Sequence, residues 1–271
     1  MRLLGSAIFL CVLSACGGGD NVAHLPYEPY ADEPPPDTTT LESLMVASSP
    51  TKSKDFYLLP DSDDYDNIPQ DPLNPLTGAK VEVGKLIYHD PAFATEGIAL
   101  RAKTWSCASC HHARAGFKSG MIQGIGEGGE GFGLKGETRG WFDPEIGTQD
   151  ADVQPVTSPT ILNVAFQDVM LWNGQLGNAS NGIINVGIDP EILMTEGTPK
   201  VANAEGLSGI ETQAIAGTGV HRILGFPPEL EDSDYYQMLL DAFPEYSRDE
   251  LHKSSTRAIA AFERTVLANQ S

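Results

Sequence analysis

Cys107 and Cys110 stand three residues apart, and His111 follows the second cysteine directly. On one helical turn both thiols can reach the two vinyl groups of a single porphyrin. The adjacent imidazole can then lie under the iron as its axial ligand. Two cysteines, two intervening residues and a histidine form the pattern of covalent c-type haem attachment. The motif therefore predicts a redox protein with one haem c in this chain, bound through both cysteines and ligated by His111.

Two other kinds of site also use paired cysteines. A structural zinc site closes a shell of four protein ligands, and the chain has no second cysteine pair at finger or ribbon spacing. A thioredoxin-type pair would lie between a strand and a helix, whereas residues 100–104 lack a buried-strand pattern and glycine-rich loops follow. A chance match in a structural loop is the remaining alternative, so the haem prediction depends on the rest of the chain.

The amino terminus has the pattern of an export signal that ends in a lipid-attachment site. Arg2 supplies a positive charge, and the apolar run from Leu3 to Leu13 that follows is too short to span a membrane. Leu13-Ser14-Ala15-Cys16 resembles a bacterial lipobox, in which a signal peptidase cuts before the cysteine and the new terminal cysteine is acylated. We therefore expect residues 1–15 to be a lipoprotein signal peptide and Cys16 to carry lipid.

This interpretation bears on both localisation and thiol chemistry. Cys11 would leave with the signal and Cys16 would be the anchor, so only Cys107 and Cys110 remain and no structural disulfide is needed. The alternative, an exported free thiol at Cys16, is a liability in an oxidising compartment. We expect a periplasm-facing protein held to the outer membrane by its lipid. Export also suits c-type haem, which is attached outside the cytoplasm.

Residues 16–54 read as a flexible tether. The segment is rich in Gly, Pro, Asp, Glu and Thr, contains Pro34-Pro35-Pro36 and has no sustained apolar period. Residues 55–271 then read as one haem domain, long enough for a sizeable core.

The formal net charge of −20 argues against a nucleic-acid partner, because phosphate contacts need Lys and Arg. An acidic surface could instead steer a basic soluble redox protein.

Helix signals occur at both ends of this domain. Thr77 precedes an apolar run that stops at His89, and Ser233 can cap a helix that ends near Ala242. A capping box at residues 247–250 precedes a final helix with an apolar stripe of period 3.6. The stripe consists of Leu251, Ala258, Ile259, Phe262 and Val266. Long irregular stretches lie between these helices, above all residues 116–147. The pattern predicts an all-α, cytochrome c-like haem domain with long irregular loops.

Several sequence blocks resemble the bacterial di-haem cytochrome c peroxidase and MauG family, and they occur in the family's order. The blocks are Gly84–Pro91, Ser106–His111 with Gly116-Phe117, Ser158–Phe166, Leu171–Gly174, Glu211–Ala214 and Ala258–Thr265. Together they cover nearly the whole predicted domain, so they are far more specific than the haem motif alone.

The resemblance implies a peroxidase. Family members reduce hydrogen peroxide to water at the haem of this domain, with electrons that reach it through a second haem domain. The donor would be a soluble protein such as a small cytochrome c or a cupredoxin. A full-length relative would continue past Ser271 into a second CxxCH motif with a second haem. We expect this chain to be a fragment of such a protein, the alternative being a single-haem variant with an external donor.

The resemblance also implies two acid–base residues above the iron. Family members use a Gln and, about ten residues later, a Glu. Gln213 matches the first position, and the second region reads Ala216 to Arg222, so His221 would replace the glutamate with Arg222 as charge support. Peroxide cleavage needs a group that takes a proton from one oxygen and returns it to the other, and an imidazole can do this near neutral pH. The alternative for His221 is a surface or core-satisfied histidine.

Other positions depart from the family or stay ambiguous. No histidine lies between His112 and His221, so the histidine that caps the resting iron in many members has no counterpart and the iron would be open to peroxide. Trp172 matches the family's electron-relay tryptophan but would also serve as a core aromatic. The family's interdomain calcium site gains no support, because Thr157 stands where Asn is usual.

Two further functions remain possible on the sequence. One is a non-catalytic electron-transfer cytochrome in which Met121, Met170 or Met194 closes the iron as a sixth ligand. Met121 would otherwise be a gap-filling side chain. The other is a MauG-like oxidase of an amino-acid side chain in another protein, for which the same open iron would serve.

Overall fold

The structure is a computed structural model of the chain. It describes residues 40–95, 97, 101–133, 136–141, 151–167, 169–177, 199–223 and 226–269. The predicted signal peptide and Cys16 lie outside these residues. The chain divides between Tyr57 and Leu58 into two compact units. None of the helices in the described part of the chain is long and apolar enough to cross a membrane.

The described part of the first unit contains a helix that the tether prediction missed. Helix α1 spans Leu41–Ser48 and is followed by a 3-10 turn at Lys54–Tyr57. Thr40 and Ser43 form a reciprocal capping box, in which each side-chain oxygen accepts from the other residue's backbone N–H, at 3.1 and 3.2 Å. The tether prediction did not include this helix, which a local cap starts despite the tether-like composition.

Helices form the core of the second unit. Helix α2 spans Gly78–His89 and α3 is the short turn Cys107–Cys110. Helices α4, α5 and α6 span Gly209–Val220, Asp234–Ala242 and Leu251–Arg264. The predicted caps are confirmed, since Thr77 and Ser233 are the N-cap residues of α2 and α5 and the box at residues 247–250 precedes α6. All five members of the predicted apolar stripe are buried.

Helix α6 is the central element, and α2 and α4 both pack against it. Gly84 of α2 makes the closest approach, because a Cβ atom there would clash with the carbonyl group of Ala258. A buried ion pair joins α4 to α6: Nε and Nη2 of Arg264 donate to the two carboxylate oxygens of Glu211 at 2.9 and 2.6 Å. Glu211 is fully buried, so this pair fixes the two helices side by side.

The all-α prediction is right in outline. The described residues are predominantly helical, with a two-stranded antiparallel ladder in which β1, Gly129–Glu130, pairs with β2, Gly140–Trp141. This ladder lies in the glycine-rich stretch that was expected to be irregular. Short backbone pairings of this kind give the loop a defined course without a continuous strand.

Candidate haem site

The haem-binding motif lies on a buried helical turn. Helix α3 places Cys107 and Cys110 at its two ends, and the Ser106 N–H donates to Oγ of Ser109 at 3.0 Å. Burial raises the pKa of both thiols to about 12. The nearby charge of Asp152 raises the pKa of Cys110 further, and that of Arg139 lowers it. The described part of the chain holds no cluster of three or more His, Cys, Asp or Glu side chains that could hold a metal ion.

His111 is oriented by backbone carbonyl groups. Its Nδ1 lies 2.9 Å from the carbonyl oxygen of Pro159 and 3.3 Å from that of Phe117, so Nδ1 carries the hydrogen and donates it. The hydroxyl group of Tyr88 donates to the His111 carbonyl oxygen at 2.9 Å. Burial lowers the pKa of His111, the two carbonyl groups raise it, and the charge of His221 lowers it. The imidazole is thus neutral, with Nε2 available to a metal.

Gln213 lies on helix α4, and His221 is the C-cap residue that directly follows it. Gln213, Gly217 and His221 are four residues apart, which places them near one side of the helix, and the position between the two polar residues has no side chain. Oε1 of Gln213 is buried and accepts no hydrogen bond from the described residues. A buried oxygen without a hydrogen-bond donor costs folding free energy unless a bound group supplies the donor.

The imidazole of His221 is held by Asp152. Its Nδ1 lies 2.8 Å from Oδ2 of Asp152, and the indole N–H of Trp105 donates to the His221 carbonyl oxygen at 2.8 Å. Trp105 precedes Ser106, the N-cap residue of the haem-binding turn, so the backbone of His221 is tied directly to the motif. The structure therefore ties His221 to the segment that leads into the haem-binding turn.

Arg222 is paired with a buried carboxylate. Its guanidinium group forms an ion pair with the fully buried carboxylate of Glu127. Because Glu127 offsets the positive charge, Arg222 is a structural partner of the loop as well as a neighbour of His221. It adopts a left-handed backbone conformation, with φ of 55°.

The remaining candidates are distributed as follows. Trp172 is fully exposed, so the core-aromatic alternative is wrong for this residue. Met170 is buried and packs in the hydrophobic core, and Met121 lies partly buried in the loop. Thr157 donates to the carbonyl oxygen of Ile122 at 2.6 Å. Met194 and Cys16 lie outside the described residues.

The donor set fits a c-type haem. Two thiols on one turn, a neutral histidine with Nε2 available and a buried amide oxygen without a donor are the groups that a covalently bound haem and its small ligand would satisfy. Residues 78–271 match the family described as di-haem cytochrome c peroxidase. The chain belongs to this family.

Comparison with individual proteins gives partial matches. The chain is 26% identical over 110 residues to the methylamine utilization protein MauG of Methylorubrum extorquens strain AM1. That match covers 41% of this chain and 23% of MauG. The crystal structure of a MauG-like protein associated with microbial copper homeostasis is similar with a TM-score of 0.42 and 22% identity. The similarity covers 78% of this chain and 47% of that protein.

Sequence patterns did not reveal the carboxylates of this site. Asp152 lies 69 residues before His221 and Glu127 lies 95 before Arg222, both in stretches without a helical or strand period. The available signal was chemical, since buried carboxylates need a cationic or hydrogen-bonding partner. This requirement does not identify the partner residue until the fold is known.

Proposed function

We propose that the haem-loaded protein reduces hydrogen peroxide to water. When bound, the haem would supply an iron that binds peroxide and passes electrons to it. Each peroxide takes up two electrons and two protons and yields two water molecules. The family supports a haem oxidoreductase, and the peroxidase assignment rests on the residues around His221.

One observation carries this proposal: His221, whose backbone is hydrogen-bonded to Trp105 beside the haem motif, directly follows the helix that carries Gln213, whose buried amide oxygen lacks a donor among the described residues. His221 can accept a proton from the first peroxide oxygen at a ring nitrogen and return it to the leaving oxygen. Gln213 can accept a hydrogen bond from bound peroxide through Oε1 and so orient it. An electron-transfer cytochrome has no use for a histidine and glutamine arranged in this way.

We propose a soluble redox protein, such as a small cytochrome c or a cupredoxin, as the electron source. The fully exposed indole of Trp172 offers a place where electrons could enter from a partner. The net charge of −20 favours a basic donor. The same open site would suit oxidation of a side chain in another protein, and the experiment below separates the two reactions.

We also propose that Cys16 is lipid-modified and holds the protein at the periplasmic face of the outer membrane. The support is the lipobox-like sequence after a short apolar run. Mass spectrometry of the exported protein should find lipid on the peptide that begins at Cys16, and a Cys16→Ser variant should be released from membranes. An unmodified Cys16 in the mature protein would contradict this.

The peroxidase function is tested with the exported, haem-loaded protein. We expect peroxide to change the absorption spectrum of the ferric protein within seconds, and a reduced small cytochrome c to be oxidised with two equivalents per peroxide. An absorption spectrum that does not change when peroxide is added, before or after the protein is reduced, would identify an electron carrier. A spectral reaction with peroxide that oxidises only an added protein substrate, and no small donor, would identify a protein oxidase.

A further inference from the structure

The contact between His221 and Asp152 determines which ring nitrogen of His221 carries the hydrogen. Nδ1 of His221 lies 2.8 Å from Oδ2 of Asp152, and a carboxylate can only accept a hydrogen bond. Nδ1 must therefore be the protonated nitrogen of the neutral ring, which leaves the Nε2 lone pair open. A histidine without this partner would divide between its two tautomers.

The Asp152 carboxylate is itself held on its other oxygen. Nε2 of Gln154 donates to Oδ1 of Asp152 at 3.0 Å. The same amide nitrogen lies 3.3 Å from Nδ1 of His221. A protonated Nδ1 cannot accept from it, so Asp152 receives both hydrogen bonds. Gln154 therefore orients the carboxylate, and the carboxylate orients the imidazole.

The backbone of Asp152 is paired with that of Gly126 and Glu127. Its N–H donates to the Glu127 carbonyl oxygen at 3.0 Å, and its own carbonyl oxygen accepts from the N–H of Gly126 at 2.8 Å. A Cβ atom on Gly126 would clash with Oδ2 of Asp152. Glycine at this position is therefore what allows the carboxylate to lie where it reaches His221.

A buried arginine holds this segment in place. The guanidinium group of Arg139, whose residue is 3% exposed, donates to the carbonyl oxygens of Ile125, Gly126, Gly131 and Thr104. Four carbonyl acceptors from three parts of the chain fix one guanidinium group, which makes the support of Asp152 rigid. Glu127, which follows Gly126 in the chain, forms an ion pair with Arg222, the residue after His221. The carboxylates of Asp152 and Glu127 thus bind two consecutive residues directly after α4.

We propose that Asp152 is a positioning residue that fixes His221 in the Nδ1–H tautomer, so that Nε2 is the atom that accepts a proton from peroxide. The role of Nε2 rests on the proposed peroxidase function, whereas the tautomer does not. Asp152 contacts neither peroxide nor the iron ligand in this account and acts only through His221.

The test combines a tautomer measurement with a rate measurement on the haem-loaded protein. In the diamagnetic ferrous carbon-monoxide form with ¹⁵N-labelled histidine, NMR should show a protonated Nδ1 and a bare Nε2 for His221. Asp152→Asn should lose this pattern, because the amide N–H₂ can donate to a bare Nδ1 and favour the opposite tautomer. The rate constant of the ferric protein with peroxide should fall about 10- to 100-fold, as is typical when the partner that orients a functional histidine is removed.

Two further variants make the test specific. Gly126→Ala retains the Asp152 carboxylate but displaces it, so it should shift the His221 tautomer as Asp152→Asn does. This variant replaces Asp152→Asn in the test if Asp152→Asn loads haem poorly. Asp66→Asn, the same change at an exposed aspartate, should alter neither the tautomer nor the rate. A bare Nδ1 in the unsubstituted protein, or an unchanged tautomer in Asp152→Asn, would overturn the proposal. A protein that shows the expected tautomers but does not react with peroxide would refute the peroxidase function and leave the positioning of His221 established.

Discussion

The imidazole of His111 donates from Nδ1 to the carbonyl oxygen of Pro159, 48 residues further along the chain, at 2.9 Å. This contact joins the haem-binding turn to the Ser158–Phe166 block and leaves Nε2 of His111 as the metal-binding atom. Residues that the family resemblance recognises as separate blocks therefore form one structural unit around the haem site. Their spacing along the chain matters because a carbonyl group of one block orients the ligand of the other.

Gln213 offers a test that separates an effect on activity from an effect on stability. Its buried Oε1 lacks a donor among the described residues, and such an atom costs roughly 1–3 kcal/mol of folding free energy. Gln213→Leu should therefore keep or raise the free energy of unfolding and lower the rate of the peroxide reaction about tenfold or more. Denaturant unfolding and stopped-flow spectroscopy measure the two effects. Loss of stability without loss of rate would show that Gln213 is a packing residue.

Glu263 gives a pH-dependent prediction. Burial, reinforced by the charge of Glu211, raises the pKa of Glu263 from 4.5 to about 8, while Arg264 lowers it. Its folded-state pKa is above the unfolded value, so its stabilising effect is complete below pH 4.5 and is lost as the pH rises towards 8. Glu263→Gln should remove this loss, which amounts to about 1.4 kcal/mol per pH unit at most.

The measurement for Glu263 is the free energy of unfolding of the haem-loaded protein between pH 5 and 8. The variant and the unsubstituted protein should converge near pH 5, and the variant should be the more stable protein at pH 8. Parallel pH profiles for the two proteins would mean that Glu263 is not protonated in the folded state.

The ion pair between Arg264 and Glu211 should be among the most sensitive positions of the core. Removal of one member leaves a buried charge without its partner, which costs about 3–5 kcal/mol. We expect Glu211→Gln to lower the free energy of unfolding by that order. Glu231→Gln, which breaks the exposed pair with Arg248, should cost far less, because solvent screens that pair. Equal effects of the two substitutions in denaturant unfolding would contradict the structure.

Gly84 tests the contact between α2 and α6. A methyl group at Gly84 would meet the Ala258 carbonyl group, so Gly84→Ala must separate the two helices and should cost several kcal/mol. Gly219→Ala is the matched control, because a Cβ atom there meets nothing within 4 Å. In a helix this control should be neutral or stabilising by up to about 1 kcal/mol. Thermal unfolding of both variants separates the steric effect from helix propensity.

Local signals predicted the helices and their ends. Thr77 and Ser233 are N-cap residues where the sequence indicated, and the box at residues 247–250 precedes α6 as expected. The Thr77 side chain accepts from the N–H of Lys80, three residues on, whereas Ser233 makes no side-chain capping hydrogen bond. The same signal exists at Thr40 and Ser43, where tether-like composition outweighed it in the prediction. Composition describes a segment on average, whereas a cap acts at one position.

The site could be predicted only in part. The haem motif can be read directly from the sequence because it lies within one helical turn, and Gln213 and His221 were assigned through the family resemblance. The partnership of His221 with Asp152 is not, because backbone pairings and the hydrogen bonds of Arg139 bring these residues together from distant irregular segments. Loops that lack a period give no information on which residues they bring into contact.

The most direct test of the account is the rate at which the ferric, haem-loaded protein reacts with peroxide before and after His221→Ala. General acid–base groups contribute about 100-fold or more, so we expect a fall of that size with unchanged haem loading. His252→Ala, at an exposed histidine on α6, should leave the rate unchanged. A rate in His221→Ala equal to that of the unsubstituted protein would contradict the assignment of His221 as the acid–base residue.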